Sequence, residues 1–88
     1  AGVIDKLYKT SEGWKIVDFK LAEKRADMLE RYRFQMEFYL YLLKNSLDPV
    51  SATILYLKDG DTETVTLENT RDFEIRLESH VTHQTEEN

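Results

Sequence analysis

The chain opens with two runs whose apolar and polar positions alternate as in β-strands. Strand formers dominate from Val3 to Thr10. From Trp14 to Lys20 the alternation is strict, with Trp14, Ile16, Asp18 and Lys20 on one face and Lys15, Val17 and Phe19 on the other. Ser11, Glu12 and Gly13 form a turn signal between them, and the whole reads as an antiparallel hairpin. The period then changes to that of a helix. From Glu30 to Asn45 there is no Gly or Pro, and Tyr32, Gln35, Met36, Tyr39, Leu42 and Leu43 recur at three- and four-residue spacing. Phe34, Phe38 and Tyr41 widen this face, so the helix is predicted to be covered on more than one side. The intervening stretch from Leu21 to Leu29 reads as a loop or as the first helical turns.

Beyond Pro49 the period of two returns. Val50 to Lys58 is a predicted strand with Ile54 to Leu57 as its buried run. Asp59, Gly60 and Asp61 give a turn. Thr62 to Leu67 is the returning strand, with Thr62, Thr64 and Thr66 alternating against Glu63, Val65 and Leu67. Asn69 or Thr70 can cap a last helix from Arg71 to His83, whose apolar residues are Phe73, Ile75, Leu77 and Val81, with residues 85–88 expected to fray. Strand, strand, helix, strand, strand, helix implies one α/β (α+β) domain over residues 1–88, a mixed sheet of four strands with the first helix as crossover.

With 88 residues, low Gly and Pro and no cysteine, this is one small domain without disulfides or thiolate metal sites, which fits a cytoplasmic location. No stretch is apolar enough to span a membrane. The chain enters a strand almost at once, as a piece of a larger protein would. Its net charge of −5 is uneven: residues 1–34 carry 8 Lys/Arg against 6 Asp/Glu, and residues 35–88 carry 4 against 11. The basic residues Lys20, Lys24, Arg25, Arg31 and Arg33 gather at and after the hairpin, where they are either a solvated surface or a rim for a phosphodiester.

The hairpin also holds the chemistry. Asp5 and Asp18 fall on adjacent antiparallel strands, where cross-strand neighbours have Cβ atoms roughly 5 Å apart. Two carboxylates that close repel, and a hard divalent cation between them relieves the repulsion. Lys20 is two residues from Asp18 and on the same strand face. Carboxylates, an ammonium and a metal suit phosphodiester hydrolysis. A plain ion pair between Asp5 and Lys20 is the simpler alternative.

Gly2 to Asp5, Ile16 to Lys20 and Tyr32 to Tyr39 together resemble the nuclease domain of the RecB and AddAB helicase–nucleases, the RecB-like branch of the PD-(D/E)xK superfamily that includes the CRISPR-associated RecB-like exonucleases. The family pattern is Gly-x-Ile-Asp, then Asp-Tyr-Lys, then Tyr-x-x-Gln-x-x-x-Tyr. Gly2 and Asp5 match the first motif. Asp18 and Lys20 match the second, with Phe19 in place of tyrosine, and Tyr32, Gln35 and Tyr39 match the third. Leu21 stands where the family often has threonine. The resemblance covers residues 2–57 and implies a restriction-endonuclease-like core. It implies Asp5 and Asp18 as ligands of Mg²⁺ or Mn²⁺, Lys20 as the catalytic lysine, and Gln35 and Tyr39 as residues that steady the site or contact DNA, with Tyr32 supporting them. It further implies DNA as partner, single strands in particular, and a helicase region in the same or a partner chain. Family members carry another metal ligand, histidine or glutamate, on a helix before the first motif. This sequence begins at that motif and lacks that helix, so a nuclease-like domain that only binds DNA or protein is the alternative expectation.

The other residues point elsewhere. Trp14 reads as hairpin packing. His80 and His83 lack a third ligand for a metal. There is no Gly-rich phosphate loop and no Ser or Cys nucleophile arrangement.

Overall fold

In the computed structural model, residues 5–87 are described, with side chains through residue 82. Gly2 of the first motif therefore lies outside the described residues, as does the side chain of His83. Strands β1 (Lys6–Thr10) and β2 (Gly13–Lys20) form the hairpin, followed by helix α1 (Ala26–Leu43), strands β3 (Ser51–Tyr56) and β4 (Thr62–Val65), and helix α2 (Thr70–Glu87). The sheet order is β1-β2-β3-β4. β2 and β3 pair in parallel and the outer pairs are antiparallel, so α1 is the crossover that a parallel pair requires.

The hairpin loop is tighter than the turn expected from sequence. Thr10 pairs with Gly13, leaving Ser11 and Glu12 as a two-residue loop. The Thr10 hydroxyl donates to the Gly13 carbonyl at 2.8 Å and accepts from the Glu12 amide at 3.2 Å. Gly13 has φ +132, outside the range that side chains favour.

Helix α1 begins four residues before Glu30, because the Ala26–Leu29 stretch consists largely of good helix formers. It ends at Leu43, whose carbonyl accepts from the amides of Ser46, Leu47 and Asp48. Asp48 takes the left-handed conformation, at φ 47. Met36, Tyr39 and Leu40 are its buried residues. Leu42, expected on this face, is 59% exposed, because the helix turns it away from the sheet.

The core lies between α1 and one face of the sheet, around Ile16, Met36, Ala52, Ile54, Tyr56 and Val65. The expected continuous buried run in β3 is corrected to an alternation. Ile54 and Tyr56 are fully buried, Leu55 is half-buried and Leu57 is 51% exposed, since no described element covers the other sheet face. In β4, Val65 is buried, and Thr62 and Thr64 are exposed, as the alternation requires.

Helix α2 supplies the second cover on α1. Phe73 is fully buried, with its ring 5.3 Å from Phe34 and 5.2 Å from Tyr41. The Asn69 side chain caps the helix by accepting from the Asp72 amide at 2.9 Å. Arg76 reaches across to Glu37 with two hydrogen bonds of 2.7 and 3.0 Å. Ile75 and Val81 face outward. The helix continues to Glu87, past the expected fraying point. No helix among the described residues is long and apolar enough to cross a membrane.

Candidate functional site

The strand register brings the two aspartates together. Lys6 pairs with Val17, so Asp5, the residue before, stands across from Asp18. Asp5 is exposed, and its Oδ2 accepts from the Phe19 backbone amide at 2.8 Å. Asp18 is on the inward face of β2 and only 4% exposed. This charge tolerates burial because its partner is two residues along the same face. Lys20 Nζ lies 2.9 Å from Asp18 Oδ2. The expected simple alternative, an ion pair of Lys20 with Asp5, is not what forms. Lys20 pairs with Asp18, and Asp5 is engaged by backbone.

Lys20 is held from the helix side as well. Its Nζ donates to Gln35 Oε1 at 3.1 Å and sits 4.3 Å from the centre of the Tyr32 ring. Tyr32 and Gln35 share one face of α1 by their three-residue spacing. Tyr39, one turn beyond Gln35, is buried, and its hydroxyl has no aligned hydrogen-bond partner among the described residues. Burial pushes the Tyr39 hydroxyl pKa up, the charges of Asp18 and Asp5 add to that, and the nearby Gln35 amide opposes it. All five expected site residues, Asp5, Asp18, Lys20, Gln35 and Tyr39, thus meet where the C-terminal end of β2 passes α1.

Burial raises the Asp18 carboxyl pKa. Lys20 opposes the shift and the Asp5 carboxylate reinforces it. Although Asp18 Oδ2 is close to Lys20, it makes no aligned hydrogen bond among the described residues. A buried carboxylate oxygen left without an aligned donor, next to a second carboxylate, is the donor set a hard divalent cation takes up, with waters and substrate oxygens completing its shell. Asp5 and Asp18 fit such an ion. No group of three or more His, Cys, Asp or Glu stands together among the described residues.

The expected basic rim is largely neutralised. Lys24 Nζ is 3.2 Å from Glu63 Oε1, Arg33 bonds Glu63 Oε2, and Arg25 bonds Asp27 at 2.6 Å. Glu63, which binds the loop after β2 and helix α1 to β4, was not singled out from sequence. Its signal was there in the alternation, which puts this carboxylate on the inward face with Val65. Two further groups back the site: the Phe19 amide that holds Asp5, and Tyr56, whose ring lies 6.5 Å from that of Tyr32. Of the histidines, His80 packs its ring 5.2 Å from Phe34, on the far side of α1.

No curated protein and no solved structure matches the chain significantly. Residues 1–87 do match one family, the PD-(D/E)XK nuclease superfamily. That match runs over nearly the whole length and agrees with a mixed sheet whose second strand carries Asp-x-Lys, and the chain therefore belongs to the PD-(D/E)XK nuclease superfamily.

Proposed function

We propose that the chain is the nuclease module of a RecB-like helicase–nuclease or exonuclease, which hydrolyses phosphodiester bonds of DNA, single strands in particular, with Mg²⁺ or Mn²⁺. Nucleases of the superfamily act on DNA and generally use divalent metals such as Mg²⁺. The observation that carries the finer reading is the distance pair at Lys20, 2.9 Å to Asp18 and 3.1 Å to Gln35, which joins the second and third motifs in one place. The helicase association rests on the motif resemblance alone.

Asp5 and Asp18 would hold the cation, which when bound polarises a phosphoryl oxygen and lowers the pKa of a bound water. Asp18 keeps its carboxylate oriented by being buried beside Lys20. Asp5 keeps its own orientation through the Phe19 amide. Lys20 offers the cationic donor that charge developing on a phosphoryl oxygen requires, or that fixes an attacking water. Gln35, a neutral acceptor, holds that ammonium without cancelling its charge. The Tyr39 hydroxyl supplies a further donor at the same end of the site.

The test is cleavage of labelled single-stranded DNA by the chain. We expect cutting with Mg²⁺ or Mn²⁺, none after chelation, and none in Asp18→Asn or Lys20→Ala chains that unfold as cooperatively as the wild type. Cutting without metal, or full activity in either variant, overturns the reading. Two carboxylates with no third ligand beside them among the described residues favour a second reading, a nuclease-like domain that binds DNA or protein without cutting. It predicts DNA affinity that falls with salt, without cleavage.

A further inference from the structure

We propose that Tyr32 is a positioning residue for Lys20, acting through the face of its ring and not through its hydroxyl. The kinetic part of this proposal rests on the nuclease reading above; the structural part does not.

A lysine ammonium has three donors and a flexible four-carbon stem, so one contact does not fix it. Lys20 has three contacts from three directions: Asp18 Oδ2 at 2.9 Å, Gln35 Oε1 at 3.1 Å and the Tyr32 ring centre at 4.3 Å. The first comes from its own strand. The other two come from α1, three residues apart. The Lys20 side chain is only 20% exposed, so the ring competes with little water for the charge, the condition in which a cation–π contact is strong. Tyr32 cannot easily swing away. Its ring is backed by that of Tyr56, 6.5 Å off and tilted by 49°, and Tyr56 is fully buried. Asp18 is a candidate metal ligand, whereas Gln35 and Tyr32 are contacts to Lys20 that a metal does not claim. Neither the neutral amide nor the ring subtracts charge from the ammonium, which shares it with the Asp18 carboxylate alone among these three contacts.

The experiment compares Tyr32→Leu, Tyr32→Phe and a chain carrying pentafluorophenylalanine at position 32. The last keeps the ring's shape and reverses its quadrupole. Two quantities are read in each. One is the resonance of the Lys20 ε-methylene protons, which the Tyr32 ring is expected to shift upfield. The other is the split of kcat and KM in DNA cleavage. We expect Tyr32→Phe to match the wild type in both. Tyr32→Leu loses the upfield shift, and the fluorinated chain displaces the resonance; both lower kcat about tenfold at unchanged KM.

An unmoved Lys20 resonance in Tyr32→Leu overturns the proposal. So does wild-type kcat in the fluorinated chain, or a Tyr32→Phe chain as slow as Tyr32→Leu. Should Tyr32→Leu fail to fold, the fluorinated chain decides. A wild type that cuts no DNA defeats the nuclease reading instead, while the resonance still shows whether the ring holds Lys20.

Discussion

Gln35 Oε1 accepts from Lys20 Nζ at 3.1 Å, and this single bond ties the crossover helix to the strand that carries Asp18. Removing it leaves the ammonium only its carboxylate, the Tyr32 ring and solvent. A hydrogen bond to a charged group contributes about 1.5–3 kcal/mol. If that stabilisation is felt in the transition state beyond the ground state, Gln35→Leu lowers kcat roughly tenfold to a hundredfold. Gln35→Glu keeps an acceptor but adds a charge beside Asp18 and Asp5, so it is expected to be at least as slow. Steady-state cleavage with both variants checks this, with the melting temperature measured alongside to separate folding from function.

Glu63 bridges Lys24 and Arg33 and thereby clamps β4 to the loop after β2 and to α1. Its carboxyl pKa lies below the ordinary 4.5, first because of the Lys24 hydrogen bond and then because of Arg33, with partial burial opposing. The folded value is thus below the unfolded one. The stabilisation is fully present above the unfolded pKa and is lost as the pH falls through the folded one. Because all three side chains are partly solvated, we expect Glu63→Gln to cost only about 1 kcal/mol at neutral pH, or about 5 °C in melting temperature. The wild type and the variant should converge in stability below the carboxylate range. A difference that persists in acid would show that Glu63 acts through packing.

Gly13 opens β2 at φ +132, and a Cβ there would meet Val50 Cγ2 at 2.8 Å. Val50 is anchored by its amide, which donates to the Trp14 carbonyl at 2.8 Å, and its β-branched side chain has few rotamers to escape into. Gly13→Ala therefore meets strain and crowding together. We expect a loss of about 1–3 kcal/mol in denaturant unfolding. The hairpin should remain and the Lys20 contacts should be kept, since Gly13 is at the opposite end of β2 from Lys20.

The alternation from Trp14 to Lys20 was enough to place Asp18 and Lys20 on one face, and the helical period was enough to turn Gln35 and Tyr39 toward them. Those are local periodicities, and the site follows from them once the hairpin register is known. What the periods could not convey is which faces have a neighbour. Leu57 and Leu42 look like core residues in a linear pattern, yet both are exposed, because burial depends on elements packed from elsewhere in the chain. The Glu63 clamp is of the same kind. Its partners Lys24 and Arg33 are 39 and 30 residues away in sequence, and only the β3–β4 hairpin brings them together. The start of α1 at Ala26 was ambiguous because Arg25, its N-cap, makes no side-chain capping bond.

Asp18 links stability to pH and, as a proposed cation ligand, to metal. Burial holds its pKa above the ordinary 3.8 despite Lys20, with Asp5 adding to the rise. A folded value above the unfolded one means that stability from this group is fully present below the unfolded pKa and is lost as the pH rises through the folded one. The charged form of this carboxylate thus opposes folding, a cost suited to a group kept for binding a cation. Two outcomes follow in thermal unfolding without DNA. Metal-free Asp18→Asn should melt at or above the wild type. Added Mg²⁺ should raise the melting temperature of the wild type, by the equivalent of about 1.4 kcal/mol for each tenfold in concentration once binding is established, and leave that of Asp18→Asn unchanged. A wild type indifferent to Mg²⁺ and Mn²⁺ would show that Asp5 and Asp18 do not hold a cation in this chain. A metal response that survives in Asp18→Asn would place the ion elsewhere.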